Sequence, residues 1–154
     1  MKMIEYIDFA LGRMQAEKFK ITGPRRAVIE LLAKSTKALN PYEMKAILEK
    51  QKVDIDVVTV YRVLETLEKL ALVHKILAFN SYIACNTRED ETHDGEENCH
   101  HYLLCSKCHK VEEFEGEDLS KLEEKVARET KYQINSHYLE FIGLCADCQK
   151  IGKG

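Results

Sequence analysis

Glycine and proline are scarce in this chain, at seven and two of 154 residues. That excludes collagen-like, linker-like and low-complexity sequences, which need one or both in quantity. Long apolar runs are missing as well, so no segment reads as a membrane-spanning helix. The opening Met1-Lys2-Met3-Ile4-Glu5 lacks the apolar stretch of a signal peptide. A cytoplasmic location is therefore expected, where thiols stay reduced. A surplus of positive charge is also absent: the formal net charge is −3, which at first sight argues against a nucleic-acid partner. What is present is ordinary globular composition, with 45% hydrophobic and 32% charged residues, in a length that holds one domain or two small ones.

The net charge conceals an asymmetry. Residues 1–84 carry 14 Lys and Arg against 10 Asp and Glu, a balance of +4. Residues 85–154 carry 9 against 16, a balance of −7. All six cysteines (85, 99, 105, 108, 145 and 148) lie in the acidic part, with five of the six histidines. In a reducing compartment that clustering points to metal rather than to disulfides.

The basic half reads as helical. Ile4, Ile7, Leu11, Met14 and Phe19 recur near helical spacing. Thr22 can cap a second helix, with Pro24 in its first turn. Asn40-Pro41 opens a third, with Met44, Ile47 and Leu48 inward. Asp54 or Asp56 caps a fourth, from about Val57 to Leu70, with Val60, Leu64, Leu67 and Leu70 as its apolar stripe. Its first turns present Thr59, Tyr61 and Arg62. A hydroxyl, an aromatic ring and a bidentate donor at a helix N-terminus suit a major-groove reading head. Two short strands, 72–76 and 81–84, turn about Phe79-Asn80 and complete the pattern of a winged helix-turn-helix. Lys18 and Lys20 can reach phosphates or a minor groove. An amphipathic bundle with a solvated outer face has the same periodicity, so pattern alone leaves both readings open.

In the acidic half, Cys105-Ser106-Lys107-Cys108 and Cys145-Ala146-Asp147-Cys148 are pairs of identical spacing. Two such pairs complete the closed tetrahedral four-sulfur set of structural zinc. The 36 residues between them must hold a helix, near Leu119–Thr130, and strands near Val111–Phe114 and Ile134–Leu144, returning to a strand near His101–Leu104 just before the first pair. A redox dithiol or buried apolar cysteines are the competing readings, but no thioredoxin-like pattern surrounds the pairs. A zinc deaminase would need a His-x-Glu element, and none occurs. His74, Cys85, His93, Cys99, His100, His101, Glu113 and His137 are further ligand-capable residues, more than a core needs. Residues 89–97 read as a solvated acidic loop and 149–154 as a tail.

Several of these segments together resemble the ferric-uptake-regulator family, over nearly the whole chain. They are Thr22-Gly23-Pro24-Arg25, Thr59-Val60-Tyr61-Arg62, His100-His101 leading into Cys105, Val111-Glu112-Glu113-Phe114, and His137 eight residues before Cys145. The resemblance implies an α+β protein that is not an enzyme. A winged helix (1–83) would be followed by a hinge and acidic loop (84–98) and by an α/β dimerisation and metal-binding domain with a three-stranded sheet (99–150). It implies a homodimeric, metal-dependent repressor of metal-uptake genes on double-stranded operator DNA, with no membrane partner. Structural Zn2+ would sit on Cys105, Cys108, Cys145 and Cys148. Tyr61 would contact bases and Arg62 bases or phosphate, with Thr59, Arg25, Lys18 and Lys20 in support.

Iron and peroxide sensors of the family carry a His before the third helix and a His-His-Asp-His run before the first Cys pair. Here those positions are Asn40 and Cys99-His100-His101-Tyr102. The chain is more similar to the zinc-uptake-regulator branch. By that similarity His74, Cys85, His93 and Glu113 form the regulatory site, with His100 as the alternative to His93. Two imidazoles, a thiolate and a carboxylate suit regulatory Zn2+, with Fe2+ or Mn2+ as the alternative. A third site can be drawn from Cys99, His101, Asp118 and His137.

Overall fold

The computed structural model describes residues 3–85, 101–114, 119–135 and 137–151. The chain forms two compact units, residues 1–90 and 91–154. Among the described residues no helix is long and apolar enough to cross a membrane.

The first unit contains four helices and a hairpin: α1 (Met3–Ala16), α2 (Gly23–Lys34), α3 (Pro41–Lys50), α4 (Val57–Lys69), β1 (Val73–Ile76) and β2 (Ser81–Ala84). Side-chain caps set the helix starts. Thr22 accepts the Arg25 N–H at 3.4 Å. Asn40 accepts the Tyr42 and Glu43 N–H groups, both at 3.0 Å, while its own N–H donates to the Glu43 carboxylate at 2.8 Å, a complete capping box. Of the two candidate caps for α4, Asp56 takes the role, accepting the Thr59 N–H at 2.6 Å.

The core joins Val28, Ile29 and Leu32 of α2, Met44 and Leu48 of α3, and Val60, Leu64 and Leu67 of α4. The α4 stripe read from the sequence is therefore the buried one. Truncating Leu64, which is fully buried, to Ala would cost about 2–5 kcal/mol. The α1 stripe differs from expectation. Tyr6, Ala10 and Met14 are buried, at strict four-residue spacing, while Ile4 is 67% exposed. The helix also stops at Ala16, and Lys18 adopts a left-handed conformation (φ 59°), so Phe19 follows a turn.

β1 and β2 pair antiparallel, with His74 opposite Ile83 and Lys75 opposite Tyr82. A 3-10 turn, Leu77–Phe79, and left-handed Asn80 (φ 46°) link them. Tyr82 also exchanges both backbone hydrogen bonds with Leu39, tying the hairpin to the segment before α3.

The second unit holds β3 (His101–Cys105), β4 (Val111–Phe114), α5 (Ser120–Thr130), β5 (Leu139–Gly143) and α6 (Ala146–Ile151). The sheet order is β4-β3-β5. β3 runs antiparallel to β4 and parallel to β5, so α5 lies in the crossover that a parallel pair requires. The last strand is shorter than the expected 134–144. Residues 146–151, partly assigned to a tail, form a helix instead. The architecture is α+β, a winged helix followed by an α/β unit with a three-stranded sheet.

Candidate metal centre and nucleic-acid interface

The four paired cysteines converge. Their sulfurs all lie within 4.8 Å of one another, and Cys108 Sγ is 3.7 Å from Cys145 Sγ. Zinc–sulfur bonds of about 2.3 Å at tetrahedral angles put two sulfurs about 3.8 Å apart, so donor set and spacing fit structural Zn2+. The sheet register makes this possible. Cys105 ends β3 opposite Gly143 at the end of β5, and the Ser106 N–H donates to the Gly143 carbonyl at 2.9 Å. The first pair turns tightly, with the His109 N–H on the Cys105 carbonyl and His109 at φ 58°. The second pair opens α6, where the Gln149 N–H bonds the Cys145 carbonyl and Cys148 is buried in the first turn.

Backbone N–H groups lower the Cys105 thiol to about 5, that of Cys145 at 3.4 Å foremost, followed by those of Cys108 and Lys107. Burial and the neighbouring thiols push Cys148 up. One sulfur of the set is thus held as a thiolate before any metal arrives.

A second cluster lies in the same unit. His101 is 5% exposed, and its Nε2 stands 3.5 Å from Nε2 of His137. The other nitrogen of His137, Nδ1, is 2.6 Å from the Glu123 carboxylate on α5. With Nδ1 engaged by Glu123, Nε2 is the His137 ring nitrogen that faces His101. Two imidazoles on one tetrahedral ion stand about 3.3 Å apart, so the pair fits a shared metal, with Glu123 orienting one ligand from behind. His101 Nδ1 is buried without a hydrogen-bond partner among the described residues. Glu123 had no part in the sequence reading. Its only signal is an acidic residue in the helix preceding His137. Of the other residues drawn into this site, Cys99 and Asp118 lie outside the described residues.

Of the regulatory set, His74 is on β1, half-buried, with its Nε2 buried. Cys85 follows β2 and is buried; it is not in a disulfide. Both belong to the first unit. Glu113 is exposed on β4 of the second. His93 and its alternative His100 lie outside the described residues. Asn40 is committed to the α3 cap through both its side chain and its backbone N–H.

The first turns of α4 carry half-buried Thr59 and Tyr61 and exposed Arg62. The Thr59 N–H holds the Asp56 carboxyl below the usual carboxylate range. On the hairpin, Tyr82 lies under Lys75, whose ammonium is 5.9 Å from the ring centroid. Burial raises the Tyr82 phenol, with Glu68, Tyr61 and Glu65 of α4 adding to the shift, so hairpin and α4 abut. Lys18 and Lys20 are exposed. Arg25 is engaged internally: its Nη1 donates to the Lys20 carbonyl at 2.6 Å, and the guanidinium sits 5.7 Å from the Phe19 ring centroid.

Known proteins are similar to this chain in sequence and in fold. A ferric uptake regulation protein of Neisseria gonorrhoeae is 30% identical over 144 residues, covering 93% of this chain and 95% of the relative. A zinc uptake regulation protein of Escherichia coli strain K12 is 27% identical, covering 89% and 81%. A solved zinc uptake regulator complexed with zinc and DNA has the same fold, with a TM-score of 0.84 at 23% identity, covering 100% of this chain and 99% of that one. Residues 16–142 match the ferric uptake regulator family itself, and over that extent of sequence the chain belongs to it.

Proposed function

We propose that the protein is a metal-dependent transcriptional repressor that binds operator DNA as a homodimer and senses zinc. The observation that carries zinc over iron is Asn40. It stands where the family's iron and peroxide sensors carry an imidazole, and its side-chain oxygen is spent on two backbone N–H groups. The regulatory donors are then His74, Cys85, His93 and Glu113. A set containing a thiolate and two imidazoles does not favour ferrous iron over zinc. The buried ring nitrogen of His74 and the buried thiol of Cys85 suit ligands removed from water. A bound ion there would supply positive charge and a fixed spacing of its ligands. For a near-complete switch it must favour the DNA-competent state by about 5.5 kcal/mol.

The winged helix supports the DNA reading, with Tyr61 and Arg62 on the outer turns of α4 as base and phosphate contacts and Thr59, Lys18 and Lys20 beside them. Arg25 holds the Lys20 carbonyl with Nη1 and keeps its other guanidinium donors for a phosphate. The solved relative bound to zinc and DNA has this fold. The dimer reading is supported by apolar surface on the second unit. Phe141, Ile142 and Leu144 at and beyond β5, an edge strand, are 51%, 60% and 48% exposed, and Leu122 on α5 is 56% exposed. A second copy would cover surface that one unit leaves in water. Four converging sulfurs support a metal site over a reactive dithiol, which needs only one pair. The third site is proposed on His101 and His137, with Glu123 behind His137.

Operator binding measured against buffered free zinc, ferrous iron and manganese tests the reading. Zinc should drive binding at the lowest free concentration. Tighter binding driven by iron or manganese at a lower level would overturn zinc as the signal. Metal-independent binding would overturn metal control.

A further inference from the structure

Tyr6 has no part in the site so far described, yet its hydroxyl reaches the regulatory region. Its side chain is 1% exposed, and the hydroxyl donates to the Leu72 carbonyl at 2.7 Å, 66 residues along the chain. The same carbonyl accepts the Cys85 N–H at 3.0 Å. One oxygen therefore joins three segments: the first turns of α1, the residue before β1, and the residue after β2. His74 is two residues beyond Leu72 on β1, so both regulatory donors of this unit flank the junction. A carbonyl has two lone pairs, and here each accepts from one donor, the Tyr6 hydroxyl and the Cys85 N–H. A buried phenol with one fixed acceptor also pins its side chain, since the hydroxyl cannot move away from the carbonyl without losing the bond.

We propose that Tyr6 is a positioning residue for the regulatory metal site, holding the Leu72 carbonyl and through it the backbone of Cys85. This rests on the reading of Cys85 as a regulatory ligand. The bond ties the ligand's backbone to α1, so the thiol meets the metal from a fixed point. Groups that orient a ligand in this way typically contribute about 10- to 100-fold to metal affinity. Tyr6→Phe keeps the ring in the core and removes only the donor, and the Cys85 N–H still occupies Leu72.

The test uses the full chain with zinc kept on the four paired cysteines and cobalt(II) titrated into the regulatory site against a competing chelator. The readouts are affinity and the sulfur-to-cobalt charge-transfer band. Four proteins are compared: wild type, Tyr6→Phe, Cys85→Ser, and Leu48→Val, which loosens the same core from α3 without touching the Tyr6 hydroxyl bond. Cys85→Ser should abolish the band. Tyr6→Phe should weaken cobalt binding about tenfold and shift the band, while Leu48→Val, whatever its urea midpoint, should do neither. If Cys85→Ser keeps the band, Cys85 is not a ligand and both readings fall. If Cys85→Ser loses it but Tyr6→Phe binds cobalt as wild type or as Leu48→Val does, only the Tyr6 assignment is overturned.

Discussion

Replacing Asn40 with Ala should cost the N-terminal unit about 1 kcal/mol and leave its metal response where it was. The magnitude follows from the capping box. Ala removes the acceptor of two N–H groups at the start of α3, while the Glu43 carboxylate can still accept the backbone N–H of residue 40. Losing an Asn cap typically costs about 0.5–2 kcal/mol. For a unit of this size, 1 kcal/mol lowers the melting temperature by about 4–8 °C. The assay is thermal unfolding followed by helical circular dichroism, to which α1–α4 contribute most, beside a titration of operator binding against buffered zinc. Asn40→Asp keeps the acceptor and adds a charge favourable at a helix N-terminus, so it should melt close to wild type. An unchanged melting temperature for Asn40→Ala would refute the capping role. A several-fold shift of its zinc midpoint would place Asn40 in the metal site and remove the argument for zinc over iron.

Tyr61→Ala should lower specific operator affinity by about 1–3 kcal/mol with little change on random DNA, and gel shifts on both duplexes would show it; an unchanged ratio would remove Tyr61 from base reading. Removal of the structural metal, by chelation or by Cys145→Ser with Cys148→Ser, should unfold or monomerise the second unit, read by sedimentation and circular dichroism; a folded, metal-free dimer would disprove its structural role. The metal-stripped monomer, where its second unit stays folded, should show a pH optimum. Cys105 is depressed to about 5, so its contribution is present above the unfolded value of about 8.5 and is lost as pH falls through 5. Cys148 is raised, so its contribution is present below that value and is lost as pH rises above it. Urea midpoints should therefore climb from pH 5 to about 8.5 and then decline, and a flat profile would contradict both assignments. Because one thiol is already ionised, zinc loading at neutral pH should release fewer than four protons, measurable by calorimetry in buffers of different ionisation heat.

Much of the site was legible because its signals are local. The spacing of each Cys pair, the Thr, Asn and Asp caps and the α4 stripe all depend on a few adjacent residues. The misreadings share the opposite cause. Ile4 and Tyr6 are both apolar enough for a buried stripe, and only packing against α2 and the region of Leu72 chooses Tyr6. Likewise, nothing near Arg25 in sequence shows that its guanidinium closes on the Lys20 carbonyl.

The sequence by itself determined the kinds of elements, the charge division between the halves and the chemistry of the paired cysteines. Those follow from periodicity, composition and short-range spacing. Tertiary structure decided which distant groups share one small volume. The parallel register of β3 and β5 brings Cys105 and Cys108 to Cys145 and Cys148 across 36 intervening residues. The crossover helix carries Glu123 to His137, and helix packing carries Tyr6 to the carbonyl beside Cys85. Hydrogen-bond register and core packing are properties of pairs of segments, and neither segment carries them alone.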